Sequence, residues 1–246
     1  MNLKDQIAIV TGAGQGIGRG IAEKLSQYGA AVVVADKSES KALETAQIIE
    51  SRGGKALAVV ADISILSDIS KMFDKCQEYF GVPDIMVANA GLSYSSSLLE
   101  TTEEEYYMVY DINAKGTFFC LKEAGLRLKD GGRIVLISSS TSKQPKKGMS
   151  LYSSTKAAIN MMAEIAAQEL ADRGITVNAV LPGLTMTPSV KEAPFPEGFI
   201  QMVVDNTPSK RLGETVDIAE IVAFFCTKES QWVTGKHIMA DGGCLF

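Results

Sequence analysis

Histidine and tryptophan each occur once in the 246 residues, and cysteine occurs four times. Cys76, Cys120, Cys226 and Cys244 form no C-x-x-C pair and His237 has no second histidine beside it, so the spacing of a metal centre is absent and no metal is expected. Long apolar runs are missing too. None exceeds six residues, the length of AAVVVA and of ALAVVA, against roughly 18 for a membrane span. Near the N-terminus only IAIV is continuously apolar, where a secretory signal takes roughly 7 to 15 residues, so a cytoplasmic protein is expected. Positive charge is in deficit: 24 Lys plus Arg stand against 29 Asp plus Glu, a formal charge of -5. No basic field exists to hold a phosphate backbone, and nucleic acid is not an expected partner. Proline is scarce at 7, and with 46% hydrophobic and 22% charged residues a disordered or collagenous chain is excluded.

What is present is alternation. Short β-branched runs (IAIVT, AVVVAD, ALAVVA, DIMVAN, RIVLIS, ITVNAVLP) are separated by stretches of helical period at 17–28, 40–52, 65–80, 103–129 and 150–172. Strands that are apolar at nearly every position are buried on both faces. With right-handed crossovers they predict one α/β domain over 1–246, a doubly wound, mostly parallel sheet of seven strands with helices on both sides. Gly29, Gly53, Gly131 and Gly174 follow helix ends, and Thr102 with Glu105 makes a capping box. Five of the seven prolines fall from the end of the sixth strand up to the last helix, so 184–211 is expected to be an irregular excursion over the carboxyl edge of the sheet.

The loop Thr11-Gly12-Ala13-Gly14-Gln15-Gly16-Ile17-Gly18 joins the first strand to the first helix. There, free backbone N–H groups and the helix dipole favour a pyrophosphate, and glycines let the ligand and the helix come close. The spacing is G-x-x-x-G-x-G rather than G-x-G-x-x-G. Asp36 ends the second strand, where an acid accepts hydrogen bonds from the adenosine ribose and repels a 2′-phosphate. This selects NAD over NADP; Lys37 beside it reads as a solvated turn residue. Asp62 after the third strand and Asn89-Ala90-Gly91 after the fourth lie at the same edge.

Tyr152 and Lys156 stand four apart at the start of a helix and share one face. A tyrosine alone is a poor base, with an ordinary pKa of about 10, and a neighbouring ammonium stabilises its phenolate. Ser139 closes the fifth strand at the ligand edge and can donate to a developing oxyanion. Asn113, an unfavourable residue inside a long helix, can kink it or order a water.

Together these motifs resemble the short-chain dehydrogenase/reductase family, in its classical branch, over essentially the whole chain. TGAGQGIG is similar to that family's coenzyme loop, and ANAG to its NNAG element with the first Asn replaced. The resemblance implies that Gly12, Gly14, Gln15, Gly16, Ile17, Gly18, Asp36, Asp62, Ile63, Asn89, Ala90 and Gly91 hold the cofactor. It adds Pro182, Gly183, Thr185 and Thr187 near the nicotinamide. It further implies a catalytic tetrad: Tyr152 as acid/base, Ser139 orienting the substrate oxygen, Lys156 lowering the phenol pKa and holding the nicotinamide ribose, and Asn113 positioning a relay water. The three residues between Tyr152 and Lys156 are fewer than the enoyl reductases have, and Gln15 replaces the basic loop residue of many NADP-preferring relatives. A homotetramer or homodimer through the two long helices is also implied.

The expected function is NAD-dependent hydride transfer between nicotinamide and a small secondary alcohol or ketone, such as a polyol or diol. A 3-oxoacyl thioester reductase is the alternative, with Lys143, Lys146 and Lys147 as a docking point for an acidic carrier. A non-catalytic dinucleotide-binding protein is the other. Met186, Phe195, Phe199, Met202, Ser93, Tyr94 and the loop 140–149 are the candidate pocket walls.

Overall fold

Each apolar run becomes a strand of one sheet, with bounds within a residue of those read from the sequence: β1 (Ile7–Thr11), β2 (Ala31–Asp36), β3 (Lys55–Val60), β4 (Ile85–Ala88), β5 (Arg133–Ile137) and β6 (Thr176–Pro182), joined by a short β7 (His237–Ala240). The structure, a computed structural model, describes residues 1–244. All six pairings are parallel, in the order β3-β2-β1-β4-β5-β6-β7. β1 lies between β2 and β4, so the strand order reverses there and opens a crevice at the carboxyl ends.

Alternate residues of each strand feed two cores. Ile7 and Ile9 of β1 join Val33, Met72, Phe73, Leu136, Ile159 and Val177 on one side. Ala8 and Val10 join Ile21, Leu25, Val32, Val135, Val222 and Phe225 on the other. Burial of each large side chain contributes roughly 1.5–3 kcal/mol. The helices α1 (Gly16–Gln27), α2 (Glu39–Ser51), α3 (Leu66–Tyr79), α4 (Glu103–Tyr110), α5 (Thr117–Arg127) and α6 (Ser150–Glu169) connect the strands up to β6. Gly29, Gly53, Gly131 and Gly174 all have positive φ, and the Thr102–Glu105 capping box forms.

Two expectations are corrected. The helix read as continuous over 103–129 is interrupted by a π turn, Asp111–Gly116, between α4 and α5. The cause is packing: both backbone groups of Leu92 bond the Asn113 amide, and a Cβ on Gly116 would lie 2.8 Å from the Ile63 carbonyl oxygen. The proline-rich segment is not wholly irregular either. It holds α7 (Pro188–Glu192) and α8 (Phe199–Asn206) before α9 (Thr215–Cys226). Pro188 opens α7, where the missing N–H costs nothing, and the Thr187 hydroxyl caps it by accepting from Val190 N at 3.3 Å. Pro194 and Pro196 lie between the two helices and Pro208 beyond the second.

Candidate active site

At the end of β1 the buried Thr11 hydroxyl accepts from the backbone N–H groups of Asn89 and Ala90, both at 3.1 Å. Asn89 Nδ2 donates in turn to the carbonyl oxygens of Thr11 and Gly12, at 2.9 and 3.2 Å. The start of the glycine loop is thereby clamped to the end of β4. Here Gly18 is obligatory, because a Cβ would stand 2.1 Å from the Gly12 oxygen. Gly12 (φ +62) backs onto Ala90, with a Cβ position 2.8 Å from its Cα.

Gly14 N–H donates to Asp36 Oδ2 and Ser38 N–H to Oδ1, each at 2.9 Å. Both carboxylate oxygens are thus oriented, and each keeps a lone pair for an incoming hydroxyl. Arg19 ties down the Gly14 carbonyl from the other side, through Nε at 3.1 Å and Nη2 at 2.7 Å. Gln15 stands at the N-cap of α1 without a capping side-chain bond, its Oε1 accepting from Lys41 Nζ at 2.7 Å. The first-turn amides of α1 are left to face an anionic group. Lys37 is exposed, as expected of a solvated turn residue. A loop in which Gly12, Gly14 and Gly18 leave no room for a Cβ, followed by an aimed carboxylate, fits a dinucleotide.

Further along the edge, Asp62 Oδ1 accepts from both the backbone N–H and the hydroxyl of Ser64, at 2.9 and 2.7 Å. Ile63 is buried against Gly116. On the opposite side, Pro182 ends β6, and Gly183 packs so closely that a Cβ would lie 2.8 Å from that of Asp241. Thr185 is buried and donates to the Gly183 carbonyl at 3.0 Å. Thr187 reaches the glycine loop, its Cβ and Cγ2 each 3.4 Å from the Cβ position of Gly16. The segment after β6 therefore touches the loop after β1.

The four tetrad candidates meet at the ends of β4 and β5. Ser139 follows β5, is 8% exposed, and caps a short 3₁₀ turn, Ser140–Ser142. Lys156 Nζ is buried and donates to the carbonyl of Ile137 at 2.9 Å, 5.7 Å from the centre of the Tyr152 ring. Asn113 Nδ2 donates to the Leu92 carbonyl at 2.9 Å and to Thr155 Oγ1 at 3.2 Å, while its Oδ1 accepts from Leu92 N–H at 2.8 Å. Both amide hydrogens are thus committed to the protein, so the side chain fastens the loop after β4 to the π turn. Gly91 lies among them, with a Cβ position 3.2 Å from both Asn113 Oδ1 and Lys156 Nζ.

Burial holds the Tyr152 phenol above its ordinary value, and a hydrogen bond with the Ser139 side chain works against that rise. Burial also brings the Lys156 ammonium down to about 8. Within the chain itself the Ser139 hydrogen bond lowers the phenol pKa. The ammonium keeps its bond to the neutral Ile137 carbonyl in this desolvated setting.

The sequence assigned no role of their own to Thr11, Thr155, Ser142 and Asn160. Thr11 carried a signal, as a polar side chain closing an apolar strand. Asn160 carried one too, as an amide four residues beyond Lys156 on the buried face of α6. Phe195 and Phe199 stack with ring centroids 4.7 Å apart, and His237 pairs with Glu164 at 2.7 Å, away from the tetrad. A groove of about 1100 Å³ runs between Ser95–Ser97 and the loop holding Lys143, Lys146 and Lys147; it is lined by Tyr94 but by none of the tetrad. Among the described residues no His/Cys/Asp/Glu cluster could hold a metal, and no helix is long and apolar enough to cross a membrane.

Fold and site define a Rossmann-type oxidoreductase with a nicotinamide dinucleotide cofactor, and the comparisons agree. Residues 12–244 match the model of a family described as enoyl-(acyl carrier protein) reductase. A short chain dehydrogenase/reductase of Aspergillus aculeatus is 40% identical over 255 residues, 98% of this chain and 96% of that protein. Versicolorin reductase of Emericella nidulans is 37% identical, over 99% and 97% of the two chains. The solved structure of a 7α-hydroxysteroid dehydrogenase, in complex with NADH and 7-oxo glycochenodeoxycholic acid, superposes with a TM-score of 0.95 at 31% identity, covering 99% of this chain and 96% of that one. This chain belongs to the short-chain dehydrogenase/reductase family and is an oxidoreductase acting on CH–OH groups.

Proposed function

We propose that the protein transfers hydride between NAD(H) and a secondary alcohol or ketone, with Tyr152 as acid/base. The observation that carries this reading is the meeting of Ser139, Tyr152 and Lys156 at the end of β5, in the crevice whose other side presents Asp36. A bound NAD would supply the acceptor for the hydride that leaves the carbinol carbon. The Tyr152 hydroxyl moves the proton, Ser139 donates to the substrate oxygen, and buried Lys156 supplies positive charge beside the phenol and the ribose. Asn113 organises the wall of the site through Leu92 and Thr155. Asp36 favours NAD because a 2′-phosphate would meet a carboxylate already fixed by two N–H groups.

The segment 184–211 of a single domain serves as the substrate lid, starting from Thr185 and Thr187. Its stacked Phe195–Phe199 pair suits a ring-bearing ketone, and the names of the versicolorin reductase and of the steroid dehydrogenase, the latter in complex with a 7-oxo steroid, point the same way. The groove beside Lys143, Lys146 and Lys147 favours a second reading, a reductase of 3-oxoacyl thioesters on an acidic carrier or on CoA. Exposed apolar side chains on α4, α5 and α6 (Tyr107, Met108, Phe118, Leu126, Met161 and Ile165) support a homotetramer or homodimer. Four buried free cysteines suit a cytoplasmic enzyme.

Turnover with NAD(H) and NADP(H) over polyols, ring ketones and oxoacyl thioesters tests the reading. Tyr152→Phe should cut kcat by about 10² to 10⁴-fold and leave NADH affinity within about twofold. Substantial turnover by that variant defeats the assignment, and the thioester arm separates the two substrate classes. Tight NADH binding with no turnover by the native enzyme on any substrate returns the chain to a non-catalytic binding role.

A further inference from the structure

Tyr152, Lys156 and Asn160 recur at every fourth position of α6 and share one face of it. Asn160 is 5% exposed, and its Nδ2 donates to Ser142 Oγ at 2.9 Å. Ser142 Oγ donates in turn to the carbonyl oxygen of Ser139 at 2.6 Å. The Oδ1 of Asn160 is buried with no partner. The Nδ2 bond to Ser142 is thus the polar contact that the fold gives this amide.

That bond completes a series. Ile137 is held by Lys156 Nζ through its carbonyl, Ser138 Oγ donates to the Lys156 carbonyl at 2.8 Å, and Ser139 is held through Ser142 by Asn160. Three successive residues at the end of β5 are thus fastened to the helix that carries Tyr152. We infer that Asn160 is a positioning residue for the reaction, acting through Ser142 to fix the turn that presents the Ser139 hydroxyl to Tyr152. This inference rests on the reading that Ser139 and Tyr152 handle the substrate oxygen.

Steady-state kinetics on the full chain with NADH and a ketone it reduces, and with NAD and the matching alcohol, test the role. Asn160→Ala and Ser142→Ala should each lower kcat by about 10- to 100-fold, with the KM for NADH changed less than about twofold and the melting temperature nearly unchanged. The double variant should lose little more than either single one, because both cut the same relay. Ser142→Thr keeps the hydroxyl and should restore most of the rate. In alcohol oxidation the rising limb of kcat/KM against pH should move to higher pH in Asn160→Ala, as in Ser139→Ala, because a displaced Ser139 no longer lowers the phenol pKa. Native kcat and pH profile in Asn160→Ala overturn the inference, as does a double variant whose loss is the product of the single losses. Should Asn160→Ala fail to fold, the contrast between Ser142→Ala and Ser142→Thr decides alone. If Tyr152→Phe is dead while Asn160→Ala is fully active, only the positioning role fails. If Tyr152→Phe still turns over, the functional reading itself fails.

Discussion

The two sides of the crevice are built differently. On the β1–β2–β4 side, Thr11, Asn89, Arg19 and Asp36 bond the glycine loop from several directions, and Gly12, Gly14 and Gly18 are packed too tightly for a Cβ. On the side after β6, α7 buries no residue and α8 only Val203, while Phe195 and Met202 are exposed. The cofactor cradle is preformed, and the segment proposed to meet the substrate rests lightly on the core. Low burial is the usual mark of segments that open locally, so cofactor affinity should be set by rigidity and substrate choice by the adaptable side.

Substitutions on the two sides should therefore differ in kind. The largest effect is expected for Gly18→Ala, whose new carbon would overlap the Gly12 carbonyl. It should cost about 3 kcal/mol or more of stability and abolish saturable NADH binding, read by denaturant unfolding and fluorescence titration. Next comes Lys156, whose pKa is brought down to about 8 from an ordinary value of 10.5. Between those values the unfolded chain binds more protons than the folded one, so stability should rise with pH across that window, by at most about 3 kcal/mol. Below pH 8 both states are protonated and the penalty is fully present. Urea midpoints across the window should climb in the native chain and climb less in Lys156→Met.

Asp36→Ala should move the NAD to NADP ratio of kcat/KM toward NADP by about tenfold, roughly 1.4 kcal/mol. Retained preference for NAD would shift selection to Gln15 and its neighbours. The smallest effect is expected on the exposed side: Phe199→Ala should change stability by about 0.5 kcal/mol or less, yet raise the KM for ring ketones several-fold and leave that for NADH alone. A reversed pattern, with NADH affinity following Phe199, would erase the distinction between the two sides.

The same contrast explains what the sequence disclosed. Strands such as AVVVAD declare themselves because burial on both faces leaves no polar position, and Gly18 and Asp36 are legible because their requirement is local. The π turn was hidden, since nothing in DINAKG marks a widened turn until Leu92 and Ile63 are brought against it from elsewhere in the chain. The helices within 184–211 were obscured because prolines were counted rather than placed, although Thr187-Pro188 is a cap followed by a first turn. The spacing of Tyr152 and Lys156 is local and legible, whereas the Ile137 carbonyl that holds the ammonium comes from β5.

The π turn also fixes how this helix can change length. Val109 and Thr117 are both buried and stand eight residues apart, an interval that in a regular α-helix leaves them about 80° out of phase. The widened turn absorbs the surplus residue and keeps both on the inward side. A chain shortened by one residue within 111–116 would revert to a regular helix with the two only about 20° apart. A deletion, ordinarily ruinous inside a helix, is thus a change the architecture can survive here, and its cost falls on the placement of Asn113.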